Sequence, residues 1–261
     1  MAIALDFLLD LRVLIITTVL VVLFCAEKIY PQAPIIQSLK TRRAQALRWG
    51  KNLGFFGINA LLAPIITIPL TAWADSHALL WRAEFTTGAW ILLDLVLLDC
   101  AIYWWHRINH EVPFLWRFHQ VHHLDEFLDT TSGVRFHFGE VILSALFRMI
   151  VIMLFGIDLI SVVIFEIILL VAVIFQHSNL AIAQRLERGL GFLIITPALH
   201  WVHHHAKQVD TDSNYGAVLS IWDRIFRTRS KNKRDPNMRI GVEGTREKSF
   251  LALLVLPFKK P

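Results

Sequence analysis

Charged residues are scarce in this sequence. Only 18% of its 261 residues are charged, 55% are hydrophobic, and the mean hydropathy is +0.52. An ordinary soluble domain carries about 25% charged residues, so the composition favours an integral membrane protein. The formal net charge of +5 is then better explained by basic loops beside the membrane than by nucleic-acid binding, and no nucleic-acid partner is expected.

Several motifs are also missing. The two cysteines, Cys25 and Cys100, both lie in apolar stretches, so no disulfide framework is predicted. No glutamate has a histidine three positions later, which argues against the Glu-x-x-His helices of soluble di-iron carboxylate proteins. No His-Glu-x-x-His motif of a zinc protease is present. The N-terminus lacks the basic start of a signal peptide, so its apolar stretch is expected to be retained.

Long apolar segments are present instead, and they predict helices that cross the membrane. A span needs about 20 apolar residues, which residues 53–73 and 85–105 supply. Residues 141–176 are too long for one span and predict a hairpin of two, with its turn near Gly156 and Asp158. Residues 3–26 predict either a further span or a helix in the membrane interface.

The basic residues predict the orientation. Residues 26–52 hold six lysines and arginines against one acid, whereas residues 74–84 hold one arginine. Basic loops stay in the cytoplasm, so residues 26–52 are predicted to be cytoplasmic. The segments that follow the span ending at residue 105 and the hairpin ending at residue 176 then lie on the same side. The prediction is an all-α polytopic protein that forms one domain over residues 1–261. It has about four to five spans or re-entrant helices and a cytoplasmic helical cap.

Histidines follow a registered pattern in the predicted cap. The spacing i, i+3, i+4 occurs twice and the spacing i, i+4 once, and these offsets place side chains on one face of a helix. About 0.025 His-x-x-His-His matches are expected by chance at this histidine frequency, and two are found. The pattern predicts a shared metal centre whose ligands are His106, His110, His119, His122, His123, His200, His203 and His204.

The spacing leaves the metal open, because imidazole suits zinc, copper, iron and nickel. Eight ligands are too many for one tetrahedral zinc and fit two metal ions. A haem-binding electron carrier is an alternative, but its axial histidines usually face each other across spans. A zinc or copper binding or transport protein is the other alternative, although few polar residues lie within the predicted spans to conduct an ion.

The order of the motifs resembles the membrane fatty acid hydroxylase and sterol desaturase superfamily. The resemblance covers roughly residues 94–228. It includes Asp99, Tyr103, Trp104, His106, Arg107, His110, Pro113, Leu115, Trp116, Arg117, Phe118, His119, His122, His123, Arg135, Phe136, His137, Glu140, His200, His203, His204, Asp212, Asn214, Tyr215, Gly216, Trp222, Asp223, Arg224, Phe226 and Thr228. Phe138 and Arg227 depart from the pattern, since many relatives have proline and glycine there.

The resemblance implies a centre of two non-haem iron ions on the cytoplasmic side, for which zinc can substitute during purification. The implied reaction is dioxygen-dependent oxidation of a lipid C–H bond, in a sterol, a fatty acyl chain or a related lipid. Electrons would come from a separate donor protein of the cytochrome-b or ferredoxin type. Carried over by position, the eight histidines are ligands and His177 is expected to be a ninth. His137 is expected to be either a tenth ligand or the nearest support of one.

Carboxylates and amides are expected to support these ligands. Asp99 lies two helical turns before His106, so we expect it to accept a hydrogen bond from a ligand imidazole. A hydrogen bond between helices is the alternative. Asp212 and Asn214 are expected to support the ligands from outside or to fix the fold. Arg148 and Glu166, both within the predicted hairpin, are expected to pair.

Overall fold

The computed structural model describes residues 2–79 and 88–259, and side chains of these residues except 2–10 and 88. Residues 85–87, the start of one predicted span, lie outside the described residues, as do residues 80–84 of the predicted outer loop. In the described residues the chain forms α-helices and no β-strand, which confirms the all-α prediction. The helices are α1 Ala2–Ile29, α2 Arg42–Leu62, α3 Ile68–Ser76, α4 Gly88–Glu111, α5 Pro113–His123, α6 Phe138–Phe155, α7 Leu159–His177, α8 Gln184–Leu193, α9 Pro197–His203, α10 Gln208–Thr211, α11 Ile221–Ile225 and α12 Phe250–Val255.

Four helical stretches among the described residues are long and apolar enough to cross a membrane. They are Arg42–Ser76, Ala89–Glu111, Phe138–Phe155 and Leu159–His177. The predicted hairpin is confirmed as α6 and α7. Gly156 ends α6 in the left-handed conformation at φ 61°, which glycine adopts without strain. Asp158 then caps α7, because its Oδ1 accepts the amide of Ile160 at 2.7 Å.

The span predicted over 53–73 is part of a longer continuous helix. α2 and α3 are joined by a π-helical segment, Ala63–Thr67, and together they run for 35 residues, or about 52 Å. Pro64 and Pro69 interrupt the backbone hydrogen bonding there. The hydrocarbon core is about 30 Å thick, so the first turns of α2 extend beyond it into the cap.

α1 packs lengthwise against α7. Near one end, Glu27 accepts the amide of Asn179 at 2.9 Å, just after α7 ends. Further along, Arg12 pairs with Glu166 in α7 at 2.9 Å. Glu166 also pairs with Arg148 of α6 at 3.2 Å, which confirms the predicted pairing. α1 therefore follows α7 over at least 15 residues of its own length.

The cap is attached to α2 by a set of buried polar side chains that we call the Arg48 cluster: Arg48, Asn52, Asp125, Asp129 and Ser132. Arg48 donates to Asp125 at 2.6 Å and to Asp129 at 2.7 Å, and Asn52 donates to Asp125 at 3.0 Å. Because every charge is paired, the cluster can be buried without a large penalty. It joins α2 to the segment between α5 and α6.

Candidate metal centre

Four helices bring histidines to one place where α4 and α7 end. α4 supplies His106 and His110 in its last turns, and Val112 and Pro113 then start α5 in a new direction. α5 supplies three histidines, and α7 supplies His177 as its last residue. α9 begins with Pro197 at its first position, where proline is tolerated. It carries His200 and His203, and His204 follows directly.

The nine histidines form two adjoining groups, in each of which the candidate ligand atoms all lie within 4.8 Å of one another. The first group is His106, His110, His119, His123 and His203, and the second group is His122, His177, His200 and His204. Each i, i+4 pair stays within one group, while the histidine at i+3 belongs to the other. Two neighbouring groups thus arise from interleaved faces of the same helices.

The two groups are in direct contact. The rings of His123 and His204, one from each group, stack with centroids 4.2 Å apart. His200 and His203 stack across the same boundary at 5.1 Å. The arrangement is a single, largely buried cluster that contains two adjoining groups of candidate ligands.

Backbone carbonyls and one carboxylate fix most of the ring orientations. The Nδ1 atoms of five rings each lie at hydrogen-bond distance from an oxygen that can only accept, so Nδ1 carries the proton and Nε2 keeps its lone pair. The pairs are His106 with Tyr215 O at 2.8 Å, His119 with Glu140 Oε1 at 2.7 Å, His122 with Arg135 O at 3.1 Å, His177 with Val173 O at 2.6 Å and His203 with Ser213 O at 2.7 Å. Such outer partners orient metal-binding imidazoles in known sites.

The free nitrogens converge at the spacing of metal ligands. His177 Nε2 lies 3.0 Å from His122 Nε2 and 3.0 Å from His200 Nε2. Because the Nδ1 protons of His122 and His177 are engaged elsewhere, two lone pairs face each other, which is repulsive without a cation between them. Two nitrogens bound at about 2.1 Å to one metal ion at a right angle are about 3.0 Å apart. The donor set therefore fits a metal ion.

Burial keeps the rings neutral, which metal binding also requires. It lowers the pKa of His203 to about 3, and it holds the pKa values of His122, His123, His200 and His204 well below the usual range. Several ring nitrogens within the described residues are buried without a hydrogen-bond partner, among them His203 Nε2, His204 Nδ1 and both nitrogens of His110. Such orphaned atoms are costly in a core and are typical of a ligand site.

The first group borders a cavity of about 170 Å³. His110 forms part of its wall, together with Trp116, Asp212 and Gly241. Trp116 also contacts the centre itself, because its ring centroid is 5.0 Å from that of His110 and 5.4 Å from that of His123. The cavity is partly open, so the first group lies closer to the surface of the cap than the second.

His137 does not join either group, which corrects the prediction that it is a ligand. Its Nδ1 accepts the amide of Gly139 at 3.0 Å, and its Nε2 donates to Leu254 O at 3.0 Å. Both nitrogens are thus engaged away from the cluster. His137 caps α6, one turn before Glu140, so it supports the centre only through that helix. His177, the other additional histidine, does lie in the second group.

Asp99 does not contact an imidazole, so that prediction is wrong. Its carboxylate accepts the amides of Val218 and Leu219, each at 3.1 Å, and the indole N–H of Trp222 at 2.7 Å. These groups belong to the segment 213–222. This segment packs against α4 and takes the place beside Asp99 at which we expected an imidazole. Asp99 therefore holds this segment in position.

Asp212 lies near a ligand and Asn214 does not. Asp212 Oδ1 is 3.5 Å from His110 Nδ1, and burial raises the pKa of Asp212. Asn214 donates to Leu199 O at 2.9 Å and has a positive φ of 52°, a conformation that asparagine tolerates. Asn214 lies between Ser213 and Tyr215, whose carbonyl oxygens accept hydrogen bonds from His203 and His106, respectively.

Sequence reasoning did not assign the partners of the histidines. Glu140 belongs to the motif pattern, but its position in the sequence predicts no role; in the structure it lies in the first turn of α6 and its carboxylate accepts from His119. The carbonyl acceptors leave no signal in side-chain identity. Two histidines lie apart from the centre: His77 is exposed and stacks on Trp73, and His205 pairs with Asp210 at 2.7 Å.

Comparison with known families bears on this arrangement. The family model described as fatty acid hydroxylase matches residues 91–228, slightly more than half of the chain. These residues contain all nine clustered histidines, which come from α4, α5, α7, α9 and the residue after α9. No solved structure matches significantly.

Three characterised proteins illustrate the similarity. The ornithine lipid hydroxylase OlsE of Rhizobium tropici is 29% identical over 70% of this chain and 55% of its own length. The alkylglycerol monooxygenase of Xenopus tropicalis is 33% identical over 57% of this chain and 31% of its own length. The cholesterol 25-hydroxylase of Mus musculus is 23% identical over 77% of this chain and 69% of its own length. The chain thus spans about half of the first relative and a third of the second.

Proposed function

Because the chain belongs to the fatty acid hydroxylase family, we propose that it is a membrane oxygenase that uses dioxygen and two iron ions to oxidise a lipid C–H bond. One observation carries the proposal: nine histidines, seven of them buried and two partly buried, form two adjoining ligand groups at the ends of membrane-crossing helices. Relatives named as hydroxylases and monooxygenases of ornithine lipids, alkylglycerols and cholesterol support a lipid substrate. They differ in the lipid named, so the proposal stops at an apolar C–H bond.

The histidines would hold one metal ion in each group. His122, His177, His200 and His204 would bind one ion, and the five histidines of the first group would bind the other. Bound iron would supply the activation of dioxygen that no side chain can provide. The Nδ1 contacts fix the rings, so the Nε2 atoms are positioned before a metal ion arrives. All four histidines of the second group are buried, which would keep bulk water away from that side of the centre, as this chemistry requires.

Electrons for the reaction would enter from a separate donor protein. The partly open cavity beside His110 and Trp116 would bring such a donor close to the first group. Six lysines and arginines in residues 26–52 favour a donor with an acidic face. By the distribution of basic residues we place this side in the cytoplasm. Labelling of cysteines introduced at Ser38 and Ser230 tests that orientation, and labelling from opposite sides of the membrane would contradict it.

Comparative lipidomics of cells that express the wild-type protein or His122→Ala tests the function. We expect a lipid species that gains an oxygen atom or loses two hydrogen atoms in wild-type cells only. His77→Ala is the matched control and should behave like the wild type, because His77 lies outside both groups. Identical lipid profiles for wild type and His122→Ala would reject the reaction.

Metal analysis of the same purified proteins separates the enzyme from a zinc or copper binding protein. We expect about two iron ions per chain in the wild type and His77→Ala proteins, and fewer in His122→Ala. Zinc recovered from cells grown with ample iron, together with an unchanged lipid profile, would favour the binding protein instead. Zinc alone is not sufficient, because it can replace iron during purification.

A further inference from the structure

The helix α8 and the neighbouring α11 expose an unusual combination of side chains. Leu186, Phe192 and Leu193 of α8 are 57%, 63% and 63% exposed, and Ile221 and Ile225 of α11 are 41% and 55% exposed. We call these five residues the apolar patch. Arg185 and Arg188 of α8 are exposed beside it. A contiguous apolar surface with basic residues at its edge is typical of a helix that lies in a membrane interface.

The acidic residue of α8 faces away from this surface. Glu187 is only half-buried, and its Oε1 accepts the amide of Ala198 at 2.8 Å, in the first turn of α9. Glu187 therefore binds the N-terminus of α9, the helix that carries His200 and His203. It does not pair with the exposed arginines of α8. Arg224 of α11 lies over the ring of Phe192, 4.3 Å from its centroid, so a third cation adjoins the apolar patch.

The depth of the patch follows from its attachment to α4. The end of α8 is joined to residues 218–220, since Ser220 N donates to Leu193 O at 3.1 Å, and Asp99 holds the amides of Val218 and Leu219. Asp99 precedes His106 by seven residues, or about 10 Å along α4. The 19 residues of α7 extend for about 28 Å, which is about the thickness of the hydrocarbon core. α7 ends at His177, in the same histidine cluster as His106.

The attachment of the patch thus lies about 10 Å inside the level at which α7 leaves the membrane. Amphipathic helices in an interface bury their apolar faces about 5–10 Å deep, so the depth agrees with the composition. We propose that α8 and α11 form a monotopic lipid-binding surface that inserts the apolar patch into one leaflet and binds anionic phospholipid headgroups through Arg185, Arg188 and Arg224. This binding is independent of the oxidation reaction proposed above.

Fluorescence quenching in proteoliposomes tests the insertion. A bimane label is attached to Leu193→Cys or Leu186→Cys in a background of Cys25→Ser and Cys100→Ser, and Lys231→Cys is the control because Lys231 is exposed in the basic segment beyond. We expect lipids with brominated acyl chains to quench both α8 labels and aqueous iodide to quench only the control. Iodide quenching of all three labels alike would overturn the proposal. Shielding of the α8 labels from both quenchers would also overturn it, because a protein would then cover the patch.

The headgroup preference is tested in an equal mixture of phosphatidylcholine and phosphatidylglycerol in which only one lipid is brominated. We expect brominated phosphatidylglycerol to quench the label at position 193 more strongly, and Arg185→Gln with Arg188→Gln to remove the difference. Lys231→Gln with Lys233→Gln makes the same change in net charge and should leave the difference intact. A difference that survives in the arginine variant, or that both double variants abolish alike, would contradict specific binding at α8.

Discussion

The Arg48 cluster and the histidine cluster are neighbours in the cap, and their polar groups differ in whether they have hydrogen-bond partners. In the Arg48 cluster each charged group has partners, and Arg48 alone donates to Asp125, Asp129 and Ser132. In the histidine cluster, Nε2 lone pairs face one another and several nitrogens have no partner in the described structure. A cluster that satisfies itself stabilises the fold, whereas one that does not is prepared for a ligand.

Lowering the pH should produce the largest difference between the two clusters in their contribution to stability. The pKa of His203 is lowered to about 3, and its ordinary value is about 6.5. Below about pH 6.5 the unfolded chain therefore takes up protons that the folded metal-free chain does not, and each such histidine costs about 1.4 kcal/mol of stability per pH unit. We expect the melting temperature of chelator-treated protein to fall steeply between about pH 7 and pH 5.

The Arg48 cluster should not contribute to that loss. Burial raises the pKa of Asp129, but Arg48 and Lys28 more than offset this and hold it at about 2, below its ordinary 3.8. The stability from Asp129 is therefore fully present above about pH 3.8 and is lost only as the pH falls towards 2. A melting temperature that is unchanged down to about pH 5 would contradict neutral, buried histidines.

Arg48→Met should cause the next largest loss, and in stability alone. It leaves Asp125 and Asp129 buried without their main cation, which typically costs about 3–5 kcal/mol. Thermal unfolding in detergent measures the loss, and iron per folded chain should stay at the wild-type value. Arg43→Met, at an exposed position of the same helix, is the matched control. Loss of iron at full stability would show that the cluster serves the centre directly.

Glu140→Gln should affect the histidine cluster from outside. The carboxylate that accepts from His119 Nδ1 at 2.7 Å makes the imidazole a better ligand, and loss of such a partner typically costs about 10–100-fold in metal affinity. Competition with a chelator measures that affinity. Glu243→Gln changes an acidic residue beside the cavity and should have no comparable effect. Equal affinities for Glu140→Gln and wild type would remove Glu140 from the centre.

His137→Ala should have the smallest effect. Its effect on the metal should be small because it removes no candidate ligand, so iron content should not change. Stability should fall, because the variant loses the cap of α6, worth about 1 kcal/mol, and also a buried ring. His177→Ala, which replaces a member of the second group, is the comparison and should lose iron. If His137→Ala lost as much iron as His177→Ala, the sequence-based assignment of His137 as a ligand would be restored.

The sequence predicted those parts of the molecule that depend on regular helices. The hairpin with its turn at Gly156 and Asp158 follows from the length of the apolar segment. The grouping of eight histidines follows from their spacing along helices. The role of Asp99 does not, because it depends on a distant segment that folds back onto α4. The carbonyls of Ser213 and Tyr215 are equally invisible, since any residue carries one. The assignment of His137 failed for a local reason: at a helix N-terminus a free amide was available to its ring.

The π-helical segment Ala63–Thr67 has a mechanical consequence. It divides one long helix into α3, which packs on α6, and α2, which is tied to the cap through Arg48. The segment is a natural pivot, because it is π-helical and the two prolines in and just after it, Pro64 and Pro69, each lack a backbone N–H to donate. Arg48 lies about 22 Å from this pivot, so a rotation of about 10° would displace it by about 4 Å. The ion pairs of Arg48 would transmit that displacement, so the cap would move together with the first turns of α2.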